Sequence, residues 1–354
     1  MSLQSLILVA LAASPSTAFF LMPCWPITTQ RLDPIVTPGG IASHVHQIIG
    51  GSAFSPSLTY EATQADDVCT TCFVSVDHSN YWIPSLYFQN SDGEFESVDQ
   101  VGSTSVYYFN EVTRLGANET MTPFPEGFRM LAGDQDKRSG SEDFADQAIN
   151  YKCLNYAGLP TDSKGFPDYD CPNGIRAEVT FPSCWDGVNL DSDDHRSHVA
   201  YPTVTYQDGE CPSSHPVHLV TLLVEFIWDT HKFADRWPTA DKNPFVWSTG
   251  DPTGFGLHAD FFMGWDSTVF AAAVEECHDE FGVLENCAPF AGLLPPTDET
   301  YVNPGTCVVQ DFVDEEISGT LSKLPGCNPA ALIRRELESH RKKRHGRRSG
   351  AVLF

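Results

Sequence analysis

Proline and glycine punctuate this chain from end to end. Its 354 residues include 25 Pro and 26 Gly, scattered rather than gathered into one linker. Between them lie short apolar or alternating runs at 41–49, 81–88, 105–109, 127–131, 148–151, 175–181, 217–228 and 255–265. Aromatic and β-branched residues dominate several of these, which is how strands joined by long loops read. The pattern predicts an all-β or β-rich fold: a sandwich- or jelly-roll-like single domain with long loops, a few short helices and disulfides. The run 217–228 is long enough for a helix, but three Val, one Ile and flanking prolines favour strand. Two segments read as helix. One is 267–277, capped by Asp266 or Ser267; the other is 329–340, with Pro329 in its first turn.

The ends differ in composition from the body. Residues 1–18 have the apolar run and small residues of a secretory signal, and the run is too short to span a bilayer. The expected division is a signal peptide over 1–18, one β-rich secreted domain over 19–328 and a basic helix or tail over 329–354. Export agrees with eleven cysteines, which in an oxidising compartment predict disulfides with at least one thiol left over. Cys69 and Cys72 form a CxxC without a second half-site, so disulfides are expected there rather than zinc. Asn118-Glu119-Thr120 is an N-glycosylation sequon.

Net charge is −26. Eight Lys/Arg and two Glu between Arg334 and Arg348 give that tail +6, leaving −32 on the rest. Such a body repels nucleic acid and anionic membrane, so neither is an expected partner, and no segment is long and apolar enough for a membrane span. The tail reads as a solvated terminus, or as a substrate for cleavage at its dibasic pairs.

Chemistry-bearing residues gather in a few segments. His44 and His46 share a face if their segment is extended, as do His258 and Asp260. Asp191–His198 is dense in Asp and His. His44, His46, His198, His215, Arg176 and Glu178 are the catalytic candidates, with Trp185, Asp186 and Asp194 for substrate. His258 and Asp260, with His44 and His46, are the candidate metal ligands, and the cofactor is left open as a divalent metal ion. Each has an ordinary alternative. The histidines also read as core or loop groups satisfied by hydrogen bonds, Arg176 and Glu178 as a same-face ion pair, and the Asp186–Asp194 stretch as a solvated turn. GxSxG, Walker, GxGxxG and HExxH motifs are absent, which removes several common chemistries.

Several strings together are familiar: HVHQIIGG at 44–51, CTTC at 69–72, SNYWIPSLYF at 79–88, FPEGFRMLAGD at 124–134, FPSCWDGVNLDSDDHRSHVAYP at 181–202 and the 255–266 run. In this order they resemble a fungal secreted family of unknown function whose signature is the HVHQIIGG segment. The resemblance implies export and one conserved domain, and it implies no reaction. Combined with the residues, it yields a leading reading: a secreted protein acting on an extracellular or cell-wall polysaccharide by His/Asp/Glu acid–base chemistry, with or without metal assistance, as a hydrolase or lyase. The rival is a non-catalytic, disulfide-stabilised carbohydrate- or cell-wall-binding protein.

Overall fold

Period-two alternation builds two antiparallel sheets that face each other. A computed structural model describes residues 18–111, 121–237, 243–295 and 307–328. The expected leader up to residue 17, the Asn118 sequon and the whole basic tail with its expected helix lie outside the described residues. One sheet has six strands in the spatial order Ala18–Cys24, Thr104–Glu111, Thr221–Trp228, Ile175–Thr180, Ile149–Cys153 and Thr161–Ser163. The other has five: Pro26–Gln30, His46–Gly50, Asn80–Pro84, His258–Phe262 and Arg129–Gly133. Smaller sheets of three and four strands flank them. The β-rich, sandwich-like expectation therefore holds, with helices few and short; the 267–277 segment is helical over Ser267–Glu276. No helix among the described residues is long and apolar enough to cross a membrane.

The predicted runs are present with shifted, extended, trimmed or divided bounds. The 81–88 run divides into Asn80–Pro84 and Leu86–Gln89. Ser85 between them donates its N–H to Val45 O instead of to a sheet ladder. The 217–228 run divides into Val217–His218 and Thr221–Trp228. The 41–49 run becomes strand only at His46, so His44 precedes the strand rather than lying on it. Gly50 fits where it does because a Cβ there would stand 1.9 Å from Ser79 O, and its φ of +103° suits glycine alone.

Alternation sends one residue set of each sheet into a shared core. Phe20, Met22, Val106, Tyr108, Val224, Phe226, Ala177 and Val179 come from the six-stranded sheet, and Ile49, Tyr81, Ile83, Phe261, Met130 and Ala132 from the five-stranded one. The opposite face of the five-stranded sheet is buried too. Ile48, Trp82 and Phe262 pack there against Leu32 and Ile35 from the segment before His46–Gly50 and Phe54 and Leu58 from the segment after it. Five disulfides pin this assembly: Cys24–Cys72, Cys69–Cys307, Cys153–Cys171, Cys184–Cys211 and Cys277–Cys287. The CxxC cysteines thus reach separate partners, and Cys327 is the exposed free thiol among the described cysteines.

A polar chain ties the two sheets inside this core. Trp265 Nε1 donates to Tyr108 Oη at 3.0 Å, Tyr108 and Tyr81 share a short hydroxyl–hydroxyl bond, and Tyr81 Oη donates to Asp77 Oδ2 at 3.0 Å. Ser79 N donates to the other carboxyl oxygen, Asp77 Oδ1. Burial outweighs these donors and pushes the Asp77 carboxyl up to about 7. A carboxyl raised on folding binds its proton more tightly in the folded state. Its contribution is complete below the unfolded value near 3.8 and is lost as pH rises toward about 7. A thermal-unfolding series from pH 4 to 8 should show wild type losing stability relative to Asp77→Asn as pH rises, by about 4 kcal/mol at most. Parallel pH profiles for the two proteins would contradict the buried-carboxyl account.

Candidate functional site

The most concentrated group of ionisable side chains sits on the covered outer face of the five-stranded sheet. Register explains how it assembles. His46 pairs with Gln30 on one side and Pro84 on the other, and His258 pairs with Gly133. Asp260 lies opposite Trp82, so continuing that register two residues brings His258 level with Pro84. His46 and His258 therefore flank Pro84 in one row, about 10 Å apart at the backbone. Small neighbours, Pro84 and Gly133, leave the space above the row to the two imidazoles. Asp260 occupies the next row on the same face. His44 reaches the same space from the bend before the strand, its ring centroid 4.2 Å from that of His46 and 5.0 Å from that of His258.

Hydrogen bonds fix the orientation of these rings. His46 Nδ1 donates to Leu32 O at 3.0 Å, and His258 Nδ1 donates to Gly256 O at 3.1 Å. A carbonyl oxygen can only accept, so each Nδ1 carries the proton and each Nε2 presents a lone pair. His46 Nε2 and both carboxyl oxygens of Asp260 are buried with no hydrogen-bond partner among the described residues. Asp33 completes the group, with its Oδ1 accepting from Ile35 N and Val36 N. One ligand atom each from His44, His46 and His258 lies within 4.8 Å of the others, and the same holds for Asp33, His46 and Asp260.

Burial controls charge here. Desolvation, aided by the neighbouring imidazoles, lowers His44 well below the usual range. Desolvation lowers His46 to about 3 and His258 to about 4. The same cause raises Asp33, and raises Asp260 well above the carboxylate range with help from Asp33. The imidazoles are neutral at physiological pH, which is the form that binds a metal.

A pocket of about 290 Å³ opens over the cluster. Asp33, His44 and His258 line its floor, and Gln135, Asp194, His195 and Arg196 line its walls. His195 is held at φ 57°, a conformation uncommon outside glycine, and its Nδ1 stands 2.8 Å from Asp191 Oδ1. Arg196 is spent on backbone: its Nε and Nη2 both donate to Gly133 O.

Most of the remaining sequence candidates lie elsewhere. Of the histidine and aspartate candidates, the structure brings together His44, His46, His258 and Asp260 but not His198 and His215. His198 is buried, with Nε2 donating to Arg129 O and Nδ1 bonded to Ser192 Oγ. His215 Nε2 donates to Ser197 O. Arg176 and Glu178 sit on the six-stranded sheet, on the face turned away from the shared core. There Arg176 Nε donates to Glu178 Oε1 at 2.7 Å and Nη2 approaches Glu225 Oε1 at 3.2 Å. Glu178 and Glu225 are direct cross-strand neighbours, so this arginine offsets a like-charge contact. Trp185 donates to Asn189 O and packs edge-on against Phe128. Asp186 accepts from Val188 N and Asn189 N, closing its own turn. Among the substrate candidates Asp194 alone reaches the pocket.

Asp33 escaped the sequence reading because an Asp before Pro34 reads as a turn former, and it does form that turn. His195 belongs to the Asp191–His198 stretch whose density of Asp and His marks it in the sequence as a candidate for catalysis. Gly133 supports the site by its lack of a side chain. At its φ of +84°, a Cβ would stand 2.4 Å from Leu257 O and 2.8 Å from His258 Cα. Gly133→Ala should therefore destabilise the fold by about 1–3 kcal/mol and displace the His258 ring. Denaturant unfolding, with histidine ring signals followed by NMR, checks this; an unchanged midpoint and unchanged signals would refute it.

A family profile described as a domain of unknown function, DUF1996, matches residues 33–265. The matched span begins at Asp33 and takes in His44, His46, His195, His258 and Asp260. No curated protein and no solved structure matches the chain significantly. With the matched span covering more than half of its length, the chain belongs to this DUF1996 family.

Proposed function

We propose that the chain is a secreted enzyme acting on one polar unit of an extracellular or cell-wall polysaccharide, with His195 as its proton-transfer group. The observation that carries the reading is His195 on the wall of the pocket with its Nδ1 2.8 Å from Asp191 Oδ1 behind it. Asp191 engages Nδ1 and so fixes the ring, leaving Nε2 for proton exchange with a bound ligand. A strained backbone at His195 agrees with a side chain placed for use.

The pocket's size and charge narrow the substrate. At about 290 Å³ it lies at the small end of ligand pockets. That favours a single sugar ring or a pendant substituent over a long stretch of polymer. Asp193 and Asp194 on its rim, within a strongly acidic chain, favour neutral units over polyuronates. Arg176, a candidate charge clamp for a lyase, is committed to Glu178 and Glu225 on the other sheet.

The test is a product screen on neutral and anionic polysaccharides, reading reducing ends, unsaturated products and released small acids. Wild type should turn over a neutral polymer. His195→Ala should lose about 100-fold or more of that rate, with Asp191→Asn intermediate and both folds intact. Binding without product would favour the non-catalytic rival, and equal rates for wild type and His195→Ala would remove His195 from the chemistry.

A further inference from the structure

We propose that His44, His46 and His258 form the core of a resident site for one divalent first-row transition-metal ion, with Asp260 and Asp33 adjoining it on the His46 side. The proposal rests on the reading of this pocket as the functional site. It adds the ion that the pocket floor is built to hold.

Ring orientation is the first argument. Carbonyl acceptors at Leu32 and Gly256 hold the Nδ1 protons of His46 and His258. This is the outer hydrogen bond that orients ligating histidines in metal sites, and it aims each Nε2 lone pair inward. His44 Nε2 lies 3.1 Å from His258 Nε2. His258 Nε2 carries no proton, so His44 Nε2 must donate in that contact, and His44 Nδ1 then accepts from Ser43 Oγ. Moving one proton from Nε2 to Nδ1 reverses the Ser43 bond and frees a third lone pair without moving the ring. Two ligands bound at about 2.0–2.1 Å around a tetrahedral ion lie roughly 3.3–3.4 Å apart. The observed nitrogen separation is close to that edge.

Unmet polarity is the second argument, and it is independent of the first. His46 is fully buried with Nε2 unpartnered, and Asp260 is fully buried with both oxygens unpartnered among the described residues. Asp33 and Asp260 add two carboxyl groups in one buried space. Arg196, which lines the pocket, gives its hydrogen bonds to the Gly133 and Asp194 carbonyls. Buried groups of this kind need hydrogen-bond donors or a cation, and an ion among them satisfies the lone pairs together.

Donor type selects the ion. Three imidazole nitrogens with one or two carboxylates suit zinc, cobalt, iron, manganese or copper, whereas calcium and magnesium prefer all-oxygen shells. His46 and Asp260 lie at the back of the site. His44 and His258 also line the pocket, so the exchangeable face of the ion turns toward the proposed substrate position.

The experiment strips the full-length protein with EDTA and dialyses it separately against Zn²⁺, Co²⁺, Mn²⁺ and Ca²⁺. Bound metal is then measured after desalting, with no substrate present. The expected result is about one transition-metal ion per chain, no retained calcium, a raised Tm, and visible bands in the cobalt form that report nitrogen ligation. Asp260→Asn and His46→Ala should each weaken retention by roughly 100-fold or more. Metal-free Asp260→Asn should melt at or above metal-free wild type, because the isosteric amide removes a buried carboxyl that lacks donors. That comparison separates lost ligation from lost folding. Failure of wild type to retain any transition ion overturns the proposal, and so does equal retention by both variants. Because no substrate enters the measurement, a failed polysaccharide screen leaves this result standing, and a failed metal assay leaves the Asp191–His195 reading to its own test.

Discussion

Burial of the five-stranded sheet on both faces is the constraint on which the rest of this molecule depends. An antiparallel sheet commonly turns one face to water, and its strands then alternate apolar with polar. Here His46–Gly50, Asn80–Pro84 and His258–Phe262 are buried at every position. One face meets the six-stranded sheet across an apolar core. The other lies beneath Leu32, Ile35, Phe54 and Leu58. Polar residues on that second face are therefore taken out of water, and each needs a partner or a purpose.

The cover is held by covalent and backbone links rather than by regular structure. Cys69–Cys307 joins it to a distant segment, across a sequence separation of 238 residues. Closing a loop of that length restrains the unfolded chain by about 5 kcal/mol in the entropic account. Val45 O accepts from both Ser85 N and Ser248 Oγ, fixing the turn between His44 and His46. These links supply a rigid wall for the pocket without asking loop residues to form a further sheet. The same rigidity lets His44, which is not on the strand, share a space with two histidines that are.

The two outer faces handle charge in different ways. On the six-stranded sheet, Arg176 lies between Glu178 and Glu225, and Tyr107 Oη donates to Glu225 Oε2. That network is internally satisfied, and its members remain partly exposed or tied to a counter-charge. Around His46 and Asp260 no such compensation is present among the described residues. Two groups of ionisable residues that look alike in the sequence thus separate into a structural ion-pair network and a buried His/Asp cluster with unpartnered polar atoms.

Much of the architecture was legible before any coordinates. Gly and Pro spacing with β-branched and aromatic runs marked the strands, because those residue types have local backbone preferences that survive in most contexts. Alternation put His258 and Asp260 on one face, as the strand confirms. The cysteine count required a leftover thiol, and Cys327 is exposed as a free thiol. Sequence spacing could not show which segments meet. His198 and His215 share residue type with His46, yet Arg129 O and Ser192 Oγ hold His198 and Ser197 O holds His215, away from the cluster. Asp33 reads as a turn residue until the long cover folds it against Asp260. Local preference is written in neighbouring residues and can be read from them. The site exists only because register across three strands, and a cover laid over the outer face, bring distant side chains into one buried volume, and that is a property of tertiary packing alone.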